Sequence, residues 1–243
     1  MNYLLCPKQY QAEQSVVAGF SADALIILGG ETLTGKTTVA RRLLKNADRA
    51  RVYTAYVPGI FTTLYGDVTM AFVSALGLPL TSQYTSFRNI ERSLRDMIGD
   101  REFRLVFDDA GVHFGGGAKQ RNAAIKLMQA LLMHFPNIKL MVVSGASILD
   151  GPFRDIMTKE MRYVDISVWQ YGSQYRSFIN KVGQACGFKR SQFANEEFAQ
   201  NLLERAHGAS GALIQILQTL AKNPRYKFCP SLPADSLRTM WKF

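Results

Sequence analysis

Two polarity patterns divide this chain. From about Ala24 to Val168, short apolar runs closed by glycine, proline or acid alternate with stretches whose apolar positions recur every three to four residues. Ala24–Leu28 (ALIIL) ends in Gly29-Gly30, and Arg51–Val57 (RVYTAYV) ends in Pro58-Gly59. Arg104–Phe107 (RLVF) ends in Asp108-Asp109, and Lys139–Val143 (KLMVV) ends in Ser144-Gly145. Tyr163–Val168 (YVDISV) is the fifth such run. Brief apolar or β-branched runs with turn residues at their ends predict buried strands.

Between the runs the period is helical. Helices are predicted from Lys36, over Thr62–Leu76 with Gly77 and Pro79 as stop signals, over Ser86–Ile98, over Ala118–His134 and over Ile148–Thr158. After Trp169 only the helical period remains, in Ser173–Cys186, Asn195–His207 and Ser210–Leu220. Strands alternating with helices, then helices alone, predict an α/β core carrying a small α-helical lid. The expected division is an N-terminal helix or arm over 1–20, a core over 21–170, a helical subdomain over 171–222 and a tail over 223–243. In that tail, Arg225, Lys227, Arg238, Trp241, Lys242 and Phe243 mix basic and aromatic residues, and packing back on the lid is the expectation.

The run Gly30-Glu31-Thr32-Leu33-Thr34-Gly35-Lys36-Thr37 sits between a predicted strand and a predicted helix. It matches the phosphate-loop pattern GxxxxGK[ST], and Thr38 follows. The pattern has a physical reason. Its glycines let backbone N–H groups curl toward phosphate oxygens, and the helix start adds a partial positive charge. Lys36 is then the residue expected to reach the terminal phosphates of ATP, and Thr37 the one expected to ligate Mg²⁺. Asp108, at the end of a neighbouring strand, is the second expected Mg²⁺ residue. Asp109 is expected to orient the attacking water. Ser144, at the end of the fourth strand, is a candidate sensor of the terminal phosphate.

Composition adds a partner class. The chain has 243 residues, 47% hydrophobic and 20% charged, which is a globular and not a disordered composition. Lys and Arg number 29 against 19 Asp and Glu, a net charge of +10, which favours an anionic partner. The three cysteines, Cys6, Cys186 and Cys229, form neither a CxxC nor a zinc-ligand pattern, so free thiols in a reducing cytoplasm are expected. No apolar run approaches the ~18 residues of a membrane span, and residues 1–8 do not read as a signal peptide.

In this order, the motifs resemble the AAA+ ATPases, and more narrowly the TniB/TnsC transposition ATPases, relatives of MuB. The resemblance rests on GGETLTGKTT at Gly29–Thr38 and on FDDAGVHFGGGAKQRNAAIKLMQALL at Phe107–Leu132, where His113, Gly116, Arg121 and Leu127 fall into the family frame. Ser144-Gly145, Pro152-Phe153-Arg154 through Trp169, and Gly208–Ile214 complete it. It implies a P-loop AAA+ core with a parallel sheet flanked by helices and a small helical lid. It further implies an ATPase that assembles as a ring or filament on duplex DNA, marks a transposition target and recruits the transposase together with a target-selecting protein. Arg154 or Arg162 would be the finger supplied to a neighbouring copy. Thr81, Ser82, Tyr84, Arg88, Lys119 and Arg121 would face the DNA backbone.

Two departures from the family pattern matter. The second strand-end acid is Asp109 and not Glu, and Ala212 or Leu213 stands where the lid is expected to carry an arginine. Both favour slow, partner-stimulated hydrolysis. The competing readings are a helicase-loader-like ATPase, a STAND-type nucleotide-gated protein switch and a small-molecule kinase. The kinase reading fits poorly with paired acids and no lid arginine.

Overall fold

The computed structural model describes residues 6–81, 87–145, 161–193, 195–223 and 226. The predicted helix at 148–158, the candidates Ser82, Tyr84 and Arg154, and the tail residues Arg225, Lys227, Arg238, Trp241, Lys242 and Phe243 lie outside the described residues.

Five strands, β1 (Leu25–Gly30), β2 (Val52–Val57), β3 (Glu102–Phe107), β4 (Ile138–Val143) and β5 (Met161–Ile166), form one parallel sheet in the order β2-β3-β4-β1-β5. All four neighbouring pairs are parallel. β1 lies between β4 and β5 and is buried at all six positions. Its side chains alternate between two cores, as a pleated strand requires. Leu25 and Ile27 face one cluster with Leu105, Phe107, Leu140 and Val142. Ile26 and Leu28 face another with Val39, Leu43, Val106, Met141 and Val143. Each fully buried Leu or Ile side chain contributes about 1.5–3 kcal/mol, so the alternation fixes the register strongly.

Helices cover both faces. α1 (Pro7–Phe20) and α2 (Lys36–Lys45) pack on one face through Ala12, Val16, Phe20, Val39 and Leu43. On the other lie α3 (Gly59–Tyr65), α4 (Val68–Ala75), α5 (Phe87–Ile98), α6 (Ala110–Phe114) and α7 (Ala118–His134). Ile90, Leu94 and Ile98 give α5 its buried stripe, and Ala124, Leu127, Met128 and Leu131 give α7 its own. The remaining elements are α8 (Ser173–Ala185), a 3₁₀ turn (Arg190–Phe193), α9 (Glu196–Arg205) and α10 (Ser210–Lys222).

By packing, the chain forms two compact units. One holds the chain up to Gly30 with Lys36–Ile166, and the other holds Glu31–Gly35 with the chain from Ser167 onward. The helical unit has its own centre. Trp169 stacks on Phe178 with centroids 4.7 Å apart, and its indole N–H donates to Ser210 Oγ at 2.9 Å. Its backbone N–H donates to Gly208 O at 2.8 Å.

Three elements differ from the sequence expectation. The helix predicted over Thr62–Leu76 is two helices. Gly66 ends α3 in the left-handed region (φ 65°), and Asp67 starts α4 by accepting from Thr69 N and Met70 N at 2.7 and 3.0 Å. The fifth strand is Met161–Ile166 and not Tyr163–Val168, because its partner β1 ends at Gly30, opposite Ile166. The short helix α6, directly after the acidic pair, has too few residues to show a period.

Asp67→Ala removes the acceptor for two orphan N–H groups of α4. Urea denaturation is expected to show a loss of about 1 kcal/mol.

Candidate functional site

The carboxyl ends of the central strands converge on one edge of the sheet. Register pairs Leu28 with Val143, Phe107 with Val142 and Val57 with Phe107. The residues just beyond, Gly30, Ser144, Asp108 and Pro58, therefore share that edge. This is where open parallel sheets bind ligands.

The loop from β1 to α2 has the backbone that the sequence pattern demands. Gly30 (φ 135°) and Gly35 (φ 97°) lie where a side chain is disfavoured, and Leu33 (φ 63°) is a non-glycine residue in the left-handed region. Thr34 ties the turn, its N–H and its hydroxyl both donating to Glu31 O. Lys36 Nζ donates to Gly30 O at 2.7 Å. Glu31, Thr32 and Leu33 are exposed, Thr34 is buried, and Thr38 is half-buried on the first turn of α2.

Asp108 is the centre of the hydrogen-bond network. It is 5% exposed. Thr37 Oγ1 donates to its Oδ1 at 3.1 Å, and the Asp109 N–H donates to the same oxygen at 3.0 Å. Tyr56, from β2, donates a short hydrogen bond to Oδ2. Burial, and then the bond to Asp108, push the Tyr56 hydroxyl far above its usual value, so it remains a donor. Arg41 on α2 donates to the Tyr56 oxygen at 3.2 Å and lies 5.1 Å from its ring centre.

The Thr37 hydroxyl and the Asp108 carboxylate are hard oxygen ligands within one hydrogen bond of each other. That donor set fits Mg²⁺. Asp109 is exposed and holds a left-handed backbone (φ 57°, ψ 54°) at the start of α6. Buried Ser144 donates its N–H to Leu28 O at 3.1 Å.

His113 lies beneath the acids and is fully buried. Its Nδ1 is 2.6 Å from Thr62 Oγ1, and its Nε2 is 3.0 Å from Asp108 O and 3.3 Å from Val57 O. Burial pushes its pKa down.

Arg162 lies toward the other end of the sheet. It pairs opposite Ile26, toward the amino end of β1, and its Nε bonds Asp23 Oδ2 at 2.6 Å. The structure therefore gives this expected finger an intrachain partner at the sheet end away from the phosphate loop. Thr81 and Arg88 are exposed around the start of α5. Lys119 is exposed and Arg121 half-buried on the first turn of α7. These four lie on two separate segments.

Within the helical unit, a cavity of about 730 Å³ is lined by Glu31, Thr32 and Leu33 and by α9–α10 residues including Arg205, His207, Ala212 and Lys222. Gly211 N–H donates to Leu33 O at 2.7 Å, so a loop carbonyl accepts an orphan donor of α10. A Cβ at Gly211 would lie 2.6 Å from that oxygen. Ala212 lines the cavity and Leu213 is buried, so the lid positions without arginine are an open wall and a core contact.

Tyr56 and Thr62 carry no motif signal. Tyr56 reads as one more aromatic strand residue, and its polar tip at the carboxyl end of a strand is the clue that was there to use. Gln9 accepts from the Cys6 N–H at 3.0 Å at the start of α1.

Tyr56→Phe is expected to lower unfolding free energy by about 1.5–3 kcal/mol, the value of a hydrogen bond to a charged group, in a urea titration. Arg162→Ala and Asp23→Ala, in a double-mutant cycle, are expected to show a coupling of about 0.2–1 kcal/mol, since the arginine is partly exposed. A normal affinity for nucleotide in Arg162→Ala completes that expectation.

Among the described residues no helix is long and apolar enough to cross a membrane. No protein-family model matches the sequence, and no curated protein is significantly similar to it. Solved structures do share the fold. A Walker-type ATPase of Pyrococcus abyssi matches with a TM-score of 0.68 at 16% identity, over 90% of this chain and 68% of its own. The ORC2 protein of Aeropyrum pernix, in ADPNP and ADP complexes, matches at 0.60 and 14%, over 98% and 68%. Drosophila ORC bound to DNA matches at 0.54 and 17%, over 87% and 58%. The chain thus spans 58 to 68% of the length of these three. The sheet order and the flanking helices are those of a fold that this chain shares with these solved ATPase and ORC structures.

Proposed function

We propose that this protein is an ATP-dependent switch that binds duplex DNA through its backbone and assembles on it as a ring or filament. The observation that carries the reading is the meeting of Lys36, Thr37 and Asp108 at the carboxyl edge of β1 and β3. Glycine φ angles, a lysine at the loop's end and paired oxygen ligands serve one substrate class, a nucleoside triphosphate.

In this reading the loop N–H groups and Lys36 hold the phosphates. Thr37 and Asp108 would hold Mg²⁺, which when bound neutralises charge on the phosphates. Asp109 orients the attacking water. Ser144 stands at the same strand edge as a sensor. Arg154 or Arg162 would be the finger supplied to a neighbouring copy.

Net charge of +10 supports an anionic polymer as partner. One fold neighbour is a DNA-bound complex. The sequence resemblance to TniB/TnsC ATPases supports a role for the switch in target selection for transposition, with a transposase and a target selector as protein partners. The fold neighbours favour a second reading, an origin-type or helicase-loader ATPase.

Lys36→Ala is expected to abolish nucleotide binding and assembly. Asp109→Asn is expected to keep both and to cut turnover by about 10²-fold or more. Equilibrium binding of a fluorescent ATP analogue and negative-stain microscopy with duplex DNA check these outcomes. Assembly on bare duplex with a non-hydrolysable analogue but not with ADP is the expected result. DNA-bound assemblies of Lys36→Ala would sink the switch. Preference for single strands or for a helicase would move the assignment to the loader reading.

A further inference from the structure

The peptide plane joining the two acids is gripped at both ends. Its carbonyl, Asp108 O, lies 3.0 Å from His113 Nε2. Its N–H, from Asp109, donates to Asp108 Oδ1 at 3.0 Å. Holding that plane fixes the direction of the Asp109 N–Cα bond, and so constrains where its Cα and Cβ can lie.

The grip on the carbonyl is a two-residue relay. Val57 O and Asp108 O only accept, so His113 Nε2 carries the hydrogen. In the neutral ring Nδ1 is then an acceptor, and the Thr62 hydroxyl donates to it at 2.6 Å. Thr62 and His113 are both fully buried. Phe107 stands edge-on to the imidazole, with centroids 5.4 Å apart, and restricts its tilt.

Helix α3 touches the acids a second time. A Cβ on Gly59 would lie 3.0 Å from Asp109 Cβ and 3.2 Å from its backbone oxygen and its Oδ2. The first turn of α3 is therefore packed onto Asp109, and its next residue inward, Thr62, starts the relay.

We propose that Thr62 and His113 are positioning residues for Asp109, holding the peptide that precedes it so that a left-handed aspartate keeps one place at the strand edge. The proposal rests on the reading of Asp109 as the residue that orients water. It goes beyond that reading by making helix α3 the part of the fold that sets hydrolysis rate without touching nucleotide.

The test uses Thr62→Val, which keeps the side chain's shape and removes the hydroxyl, and Thr62→Ser, which keeps the hydroxyl. Leu64→Ala, on the exposed face of the same helix, controls for α3 itself. Thr62→Val is expected to lower kcat about tenfold or more, with KM and affinity for a fluorescent ATP analogue within about twofold. Thr62→Ser and Leu64→Ala are expected to turn over like the wild type. Wild-type turnover in Thr62→Val overturns the proposal.

A second measurement needs no turnover. In ¹⁵N-labelled wild type, His113 is expected as the Nε2–H tautomer with a hydrogen-bonded Nδ1, and an Nδ1–H tautomer overturns the relay. If the wild type binds nucleotide but hydrolyses none, the hydrolytic reading fails by itself. The relay is then judged on the Asp109 amide resonance. A shift in Thr62→Val upholds it, and no shift overturns it.

Discussion

A single buried carboxylate organises the functional edge of this protein. Asp108 accepts from three donors on three different elements, the Thr37 hydroxyl on α2, the Asp109 N–H after β3 and the Tyr56 hydroxyl on β2. A charge almost removed from water is tolerated only when its lone pairs are occupied. The three donors therefore constrain one another. Helix α2 must present its first turn to the end of β3, and β2 must end in register with β3 so that Tyr56 reaches across. The pairing of Val57 with Phe107 supplies that register. The parallel sheet is what makes such convergence possible, because it brings every strand's carboxyl end to one side.

The donors around Asp108 also explain why so much polar structure collects beneath it. The Asp108 side chain is satisfied from above by Thr37 and Tyr56, but its backbone carbonyl points into a core. An unpaired buried carbonyl is costly, and His113 removes that cost. The imidazole brings its own demand for a donor at Nδ1, and Thr62 meets it. Each polar group admitted to the interior requires the next. The chain of demands ends on α3, a helix whose outer residues Ile60 and Leu64 remain exposed. The relay is thus a consequence of placing an acid pair at the end of a buried strand.

The strands, the glycine turn after the first strand and the helices after Trp169 were legible because each obeys a local rule. Ala24–Leu28 is an unbroken apolar run closed by glycines, the loop needs glycine at Gly30 and Gly35, and after Trp169 only the helical period remains. What escaped was set by contacts between distant residues. The break at Gly66-Asp67 hides inside a good helical period, since only the cap geometry separates α3 from α4. The end of the fifth strand depends on where β1 stops. Tyr56 and Asp108 are 52 residues apart, and Thr62 and His113 are 51 apart, so no window along the chain shows either pair. Arg162 reads as a free basic residue until Asp23, 139 residues away, is seen beside it.

The aspartate at position 109 gives the backbone around it unusual weight. A glutamate has an extra methylene and an extra rotatable bond, so its carboxylate can find a water by turning its own side chain. An aspartate has little such freedom, and the position of its carboxylate follows that of its Cα–Cβ bond. Here that bond leaves a left-handed backbone, a conformation that aspartate adopts more readily than most side-chain-bearing residues. In this chain the contacts around it are the Asp108 carboxylate, the His113 imidazole and the close approach of Gly59. The shorter acid thus transfers control of its position from rotamer choice to secondary structure. Any force that shifts α3 by a few tenths of an ångström shifts the acid with it, whereas the phosphate loop and Lys36 sit on β1 and α2. On the proposed function, that separation of holding from orienting would suit a nucleotide switch, because the bound state could persist while the rate that ends it is set elsewhere.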